Sequence, residues 1–180
     1  MTLKHSLRLI AEDTRERCRL EHKSYNAVSY LKLLFNPAAL SVAIYRLQHG
    51  FHACGWRWAA GALHWWNTVL FTADISSQAV IGEHFILYHA NGIYIGDKAR
   101  LGNNVTLVHH NTIATGPRVD EQPDDLVVVE DNTVVGCGAR IVGNLTIGHD
   151  TFIGAGAVVT ESLPAYSFHF TGPGETTEPI

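Results

Sequence analysis

Two residues of this 180-residue chain have the types and spacing for proton-transfer chemistry: Asp74 and, fifteen residues later, His89. A carboxylate that accepts a bond from one imidazole nitrogen fixes the tautomer and leaves the other nitrogen as a base. It also favours the imidazolium that forms when a proton is taken from an acceptor. The stretch that holds both, Ala73–Gly96, reads ADISSQAVIGEHFILYHANGIYIG.

The elements that must position them are set by a six-residue period. Positions 75, 81 and 87, then 95, 101, 107 and 113, then 129, 135, 141, 147, 153 and 159 are all Ile, Leu or Val. Two residues earlier the side chains are mostly small or β-branched (Ala73, Ala79, Ala99, Val105, Thr133, Ala139, Thr151, Ala157), with Phe85, Asn111 and Leu145 as exceptions. Glycine follows the aliphatic at 82, 96, 102, 136, 148 and 154. A hexapeptide period predicts a parallel β-helix in which three hexapeptides, about eighteen residues, make one triangular coil. Asp74 and His89 then fall on neighbouring coils near one corner. His109 and His110 lie one coil beyond His89, where one of them could reach an acceptor. Each histidine has a plainer reading as a solvated corner residue.

The period slips at His89–Gly92, which reads as a small insertion at a corner. It breaks at Ala114–Asp125, ATGPRVDEQPDD, a polar loop of the kind that is more often functional than idle. Before residue 73 the pattern is helical: 4–23, 24–34, 37–50 with Pro37 in its first turn, and 56–70. After Val159 the period fades toward a polar terminus. The expected organisation is a helical cap over 1–72, a β-helix over 73–165 and a tail over 166–180.

Composition narrows the function classes. A formal charge of −4 gives no basic footprint for nucleic acid. Cys18, Cys54 and Cys137 are scattered and without CxxC spacing, which argues against a disulfide framework and for a reducing, cytoplasmic setting. The segment 51–71, FHACGWRWAAGALHWWNTVLF, is about long enough to span a bilayer, yet carries His52, Arg57, His64 and Asn67. Its four tryptophans are expected to pack between helices or subunits, with membrane-surface contact as the lesser reading.

The run ADISSQAVIGEHFILYHANGIYIGDKARLGNNVTL, with NPAALSVAIYRLQHG upstream and IGAGAVV downstream, resembles the catalytic core of serine O-acetyltransferases over about 140 residues. The resemblance implies a left-handed β-helix and a homotrimer or dimer of trimers. It implies acetyl-CoA as acyl donor with no metal, His89 as general base and Asp74 as its partner. By position, Thr115, Gly116, Cys137 and Ala155 would hold the pantetheine arm, and Tyr88, His109 and His110 would face the acceptor. The chain also departs from that family. Tyr88 stands where an acid precedes the catalytic histidine, and Asp125-Leu126 stand where an Arg-His pair grips the substrate carboxylate. Charge complementarity toward an amino acid would then fail, so the expected acceptor is a hydroxyl of a small metabolite or glycan. Serine is the alternative. Two readings from other classes are a zinc enzyme of the hexapeptide carbonic anhydrase type, using His84, His89 and His109, and a non-catalytic trimeric scaffold.

Overall fold

The computed structural model describes residues 3–21, 35–116 and 125–170, and the backbone of 176–179. Three helices precede the strands: α1 (Leu3–Leu20), α2 (Pro37–Ala53) and α3 (Arg57–Phe71). Asn36 caps α2 by accepting from the Ala39 amide at 3.0 Å, and Pro37 follows in the first turn. The helix expected over 24–34 lies outside the described residues.

From Ala73 onward the chain winds through three parallel sheets in turn. Sheet A stacks β1 (Ala73–Ile75), β4 (Ile93–Ile95), β7 (Thr112–Ala114), β10 (Arg140–Val142) and β13 (Val158–Val159). Sheet B stacks β2 (Val80–Ile81), β5 (Ala99–Leu101), β8 (Val127–Val129) and β11 (Leu145–Ile147). Sheet C stacks β3 (Ile86–Leu87), β6 (Thr106–Leu107), β9 (Val134–Val135), β12 (Phe152–Ile153) and β14 (Ser167–Phe170), with β15 (Thr176–Pro179) antiparallel at its edge. The register matches the hexapeptide columns: Ile75 pairs with Ile95, Ile95 with Ile113, Ile113 with Ile141, and Ile141 with Val159. All thirteen aliphatic positions of the period are buried, none above 4% exposed. Each such side chain contributes roughly 1.5–3 kcal/mol relative to exposure. The expected tail is partly a strand, because β14 adds a further rung to sheet C, Phe168 pairing with Phe152.

The corners explain the residue types found there. Between sheets B and C, His84, Asn104, Asn132, Asp150 and Tyr166 all have positive φ, from 53° to 59°. Asn and Asp tolerate this region better than most side chains. Their side chains also form a ladder, His84 to Asn104 (3.0 Å), Asn104 to Asn132 (2.9 Å) and Asn132 to Asp150 (3.1 Å). Between sheets C and A the left-handed positions are Gly92, His110, Gly138 and Gly156.

The helices close the first coil, whose strand edges would otherwise present bare backbone groups. Tyr45 donates to the Ala79 carbonyl (2.9 Å) and Gln48 to that of Ile75. Arg46 donates to Ile81 and Gly82 (2.6 Å each) and pairs with Asp13 at 2.9 Å. Asp13 in turn accepts from the Phe85 amide at 2.9 Å, and Arg17 donates to the Leu87 carbonyl. The tryptophans are not packed between helices: Trp56, Trp58, Trp65 and Trp66 are 48–77% exposed, and α3 buries only Ala60 and Asn67. The cause is that α3 meets α2 and β1 with its small and polar side, leaving the indoles outward. No described helix is long and apolar enough to cross a membrane.

Candidate active site

Because Leu87, Leu107, Val135 and Ile153 stack in sheet C, the residues two positions on stack as well. These are His89, His109, Cys137 and Ala155, one column along the corner between sheets C and A. Backbone bonds tie the column: the Gly138 amide donates to the His109 carbonyl and the Gly156 amide to that of Cys137, each at 2.8 Å. Four of the residues singled out in the sequence therefore share one edge. The insertion at His89–Gly92 projects His89 outward. Its ring is exposed, with the His109 ring centroid 5.7 Å away at 76°. His110 is turned toward the previous coil, where a Cβ on Gly92 would meet its Nδ1 at 2.4 Å. Beyond His109 the corner is open: a Cβ on Gly156 would meet nothing within 4 Å.

Asp74 lies on the first rung of sheet A, paired with Tyr94, and His89 sits at the corner that feeds the second rung. The expected bond between the two is not made among the described residues. Asp74 Oδ1 lies instead 3.3 Å from Nε2 of His64, whose Nδ1 lies 3.1 Å from the Ile75 carbonyl. The reason is geometric. α3 runs straight into β1 and carries His64 back across the outward side of that strand, where Asp74 points. Sequence spacing gave no sign of this, since a helix-to-strand packing relation has no fixed period. Asp74 and His64 line an open pocket of about 460 Å³ with His52, Arg57, Tyr94 and Asp97.

Thr115 and Gly116 do not join the column of Cys137 and Ala155. They end β7 and line a separate groove of about 440 Å³ on the outer side of sheet A, with Tyr94, Thr112 and Val142. The 28-residue step from Leu101 to Val129 shows that the loop displaces the chain by ten residues from the coil of eighteen, so a position read from the repeat alone loses its register there. Tyr88 is 53% exposed beside His89. Arg17, missed in the sequence, reaches this corner from the last turn of α1, and burial pushes its guanidinium pKa down.

Asp125 does not face an acceptor. It is 6% exposed and accepts from Asn144 Nδ2 at 2.8 Å, binding the loop's end to the next coil. The charge objection to an amino-acid acceptor therefore loses Asp125; Asp124 lies outside the described residues. The three histidines of the zinc reading are separated, His84 on the corner between sheets B and C, His89 and His109 on the next. No described group of three His, Cys, Asp or Glu could hold a metal ion.

Comparison with known proteins places this arrangement. The family model of the bacterial transferase hexapeptide, six repeats, matches residues 126–161. The serine acetyltransferase of Mycobacterium tuberculosis is 33% identical over 150 residues, 83% of this chain and 65% of that protein's length. That of Helicobacter pylori is 32% identical over 136 residues, 75% of this chain and 78% of the relative. The crystal structure of the Neisseria gonorrhoeae serine acetyltransferase in complex with serine superposes with a TM-score of 0.81 at 26% identity, covering 98% of this chain and 69% of the other. On the H. pylori match, the outward His89 corner and the repeat, the chain belongs to the serine acetyltransferase family of hexapeptide acyltransferases.

Proposed function

We propose that this chain transfers an acetyl group from acetyl-CoA to the hydroxyl of a small molecule, and that serine is the acceptor. The observation that carries the reading is the column His89–His109–Cys137–Ala155, which sets an exposed imidazole at the foot of an open corner lined by small residues. His89 takes the hydroxyl proton, and the acyl donor's arm lies along the corner past Cys137 and Ala155. Asp74, one rung away, stabilises the imidazolium by its charge. Membership of the serine acetyltransferase family and the burial of Asp125 favour serine over a glycan hydroxyl. The family also supports left-handed winding, a homotrimer or dimer of trimers, and a cytoplasmic setting. Thr115 and Gly116 belong in this reading to a groove on sheet A that a second copy would share.

The test is thiol release from acetyl-CoA with serine, homoserine and sugar nucleotides as acceptors. Serine-dependent release well above the rates with the others is expected. Release with a sugar nucleotide and none with serine would replace the acceptor, and no release with any of them would remove the reading.

A further inference from the structure

We propose that His109 donates a hydrogen bond from Nε2 to the oxyanion formed on the thioester carbonyl, as a catalytic residue distinct from the base His89. The proposal rests on the acetyl-transfer reading above, and it assigns to a side chain a role that repeat proteins of this kind could also fill with backbone amides.

The first observation is a buried, unpartnered atom. His109 is partly exposed, but its Nδ1 is enclosed and makes no hydrogen bond. A hydrogen on Nδ1 would be a buried donor without an acceptor, which is the costlier of the two tautomers. The neutral ring therefore carries its hydrogen on Nε2, an assignment from hydrogen bonding. A ring with that tautomer is a donor and not a base at Nε2.

The second observation is spacing. The His89 and His109 rings stand 5.7 Å apart, one above the other on adjacent rungs. A tetrahedral centre together with its two hydrogen bonds bridges such a gap. Its nucleophilic oxygen is hydrogen-bonded to the base, and its oxyanion lies roughly 2–3 Å further on, within reach of a donor one rung (about 4.8 Å) along. The donor's arm approaches from the Cys137 side, so the thioester carbonyl arrives at the rung of His109. His110 packs against Gly92, its ring centroid 5.3 Å from that of His109.

The step balances as follows. The acceptor oxygen forms a bond to the thioester carbon as its proton passes to His89. The carbonyl π pair moves to oxygen, which accepts the bond from His109 Nε2–H. Collapse of the tetrahedral centre breaks the C–S bond, and the proton on His89 passes to the departing thiolate. His109 keeps its proton throughout.

The experiment compares His109→Ala and His109→Gln with wild type, each with an unchanged melting temperature. His109→Ala should lower kcat by about 10²–10³, the loss typical of one oxyanion donor, with KM for acetyl-CoA changed only a few-fold. His109→Gln retains an N–H donor and should recover at least about tenfold over alanine, with the acid limb of the kcat/KM profile where wild type has it. Wild-type kcat in the alanine variant, or glutamine no better than alanine, would overturn the proposal. Two-bond ¹H–¹⁵N correlation spectra of the wild-type protein read the tautomer without any turnover. A hydrogen on Nε2 of His109 is expected, and one on Nδ1 would overturn the proposal even if the wild type showed no transferase activity, an outcome that separately removes the acetyl-transfer reading.

Discussion

Asp74 Oδ1 stands 3.3 Å from Nε2 of His64, while Nδ1 of the same ring stands 3.1 Å from the Ile75 carbonyl. Both partners are acceptors, and a neutral imidazole has one N–H, so both bonds form together only with the imidazolium. The two side chains are 36% and 45% exposed, and solvent screens the pair. Its coupling should therefore be below about 1 kcal/mol. A double-mutant cycle of His64→Gln and Asp74→Asn, read by thermal or denaturant unfolding, checks this. A coupling above about 2 kcal/mol would mean that Asp74 is committed to the helical cap and not available to His89.

His89 is exposed, so removal of its side chain should affect turnover and not folding. His89→Ala is expected to lower kcat by about 10²–10⁴ with an unchanged melting temperature. Asp74→Asn should cost less while acting on the same step, so that the double variant falls by less than the product of the two effects. Near-wild-type rates in His89→Ala would remove the general base from the mechanism.

The solenoid was legible because its cause is a local repeat. Every aliphatic position of the period, from Ile75 to Val159, proves to be a core residue. The column of His89, His109, Cys137 and Ala155 follows from the same arithmetic, since each lies a fixed two residues past a stacked aliphatic. What the sequence concealed depends on non-repeating contacts. His64 meets Asp74 only because of the angle at which α3 enters β1, and Arg17 reaches the Leu87 carbonyl from the last turn of α1, which packs on α2. Thr115 and Gly116 end β7 and line the outer side of sheet A, a placement set by where the chain leaves the coil for the loop and not by the period. The tryptophans of α3 carry a helical pattern that says nothing of which side the chain itself covers.

His49 supplies a pH dependence. Burial pushes its pKa below the ordinary 6.5, with Arg46 and His52 adding to the effect and the Ser77 carbonyl opposing it. The folded state therefore binds fewer protons than the unfolded chain when the pH lies between the two values. Stability is complete above about pH 6.5 and is lost as the pH falls through the depressed value. Unfolding free energy should decline as the pH falls from about 6.5 toward the depressed value, and His49→Gln should flatten that slope. An unchanged slope in the variant would assign the decline to another histidine.

The pair of Arg46 and Asp13 joins α1 and α2 to the first coil, with side chains 1% and 7% exposed. Removing one partner from such a pair typically costs about 3–5 kcal/mol, because the other charge stays buried alone. Arg46→Met should approach that cost, and it also strips the donors from the Ile81 and Gly82 carbonyls. Replacing both residues together, Asp13→Leu with Arg46→Met, should cost less than the sum of the single changes. Burial already pushes Asp13 above its ordinary 3.8 against the pull of Arg46, and losing the guanidinium must raise it further. A carboxyl with a raised folded pKa is tolerated while protonated, below its unfolded value, and that stability is lost as the pH rises through the folded one. The deficit of Arg46→Met should thus be greatest at neutral pH and shrink on acidification. Urea unfolding at several pH values would show it, and a deficit that does not vary with pH would mean that Asp13 is stabilised chiefly by the Phe85 amide and not by Arg46.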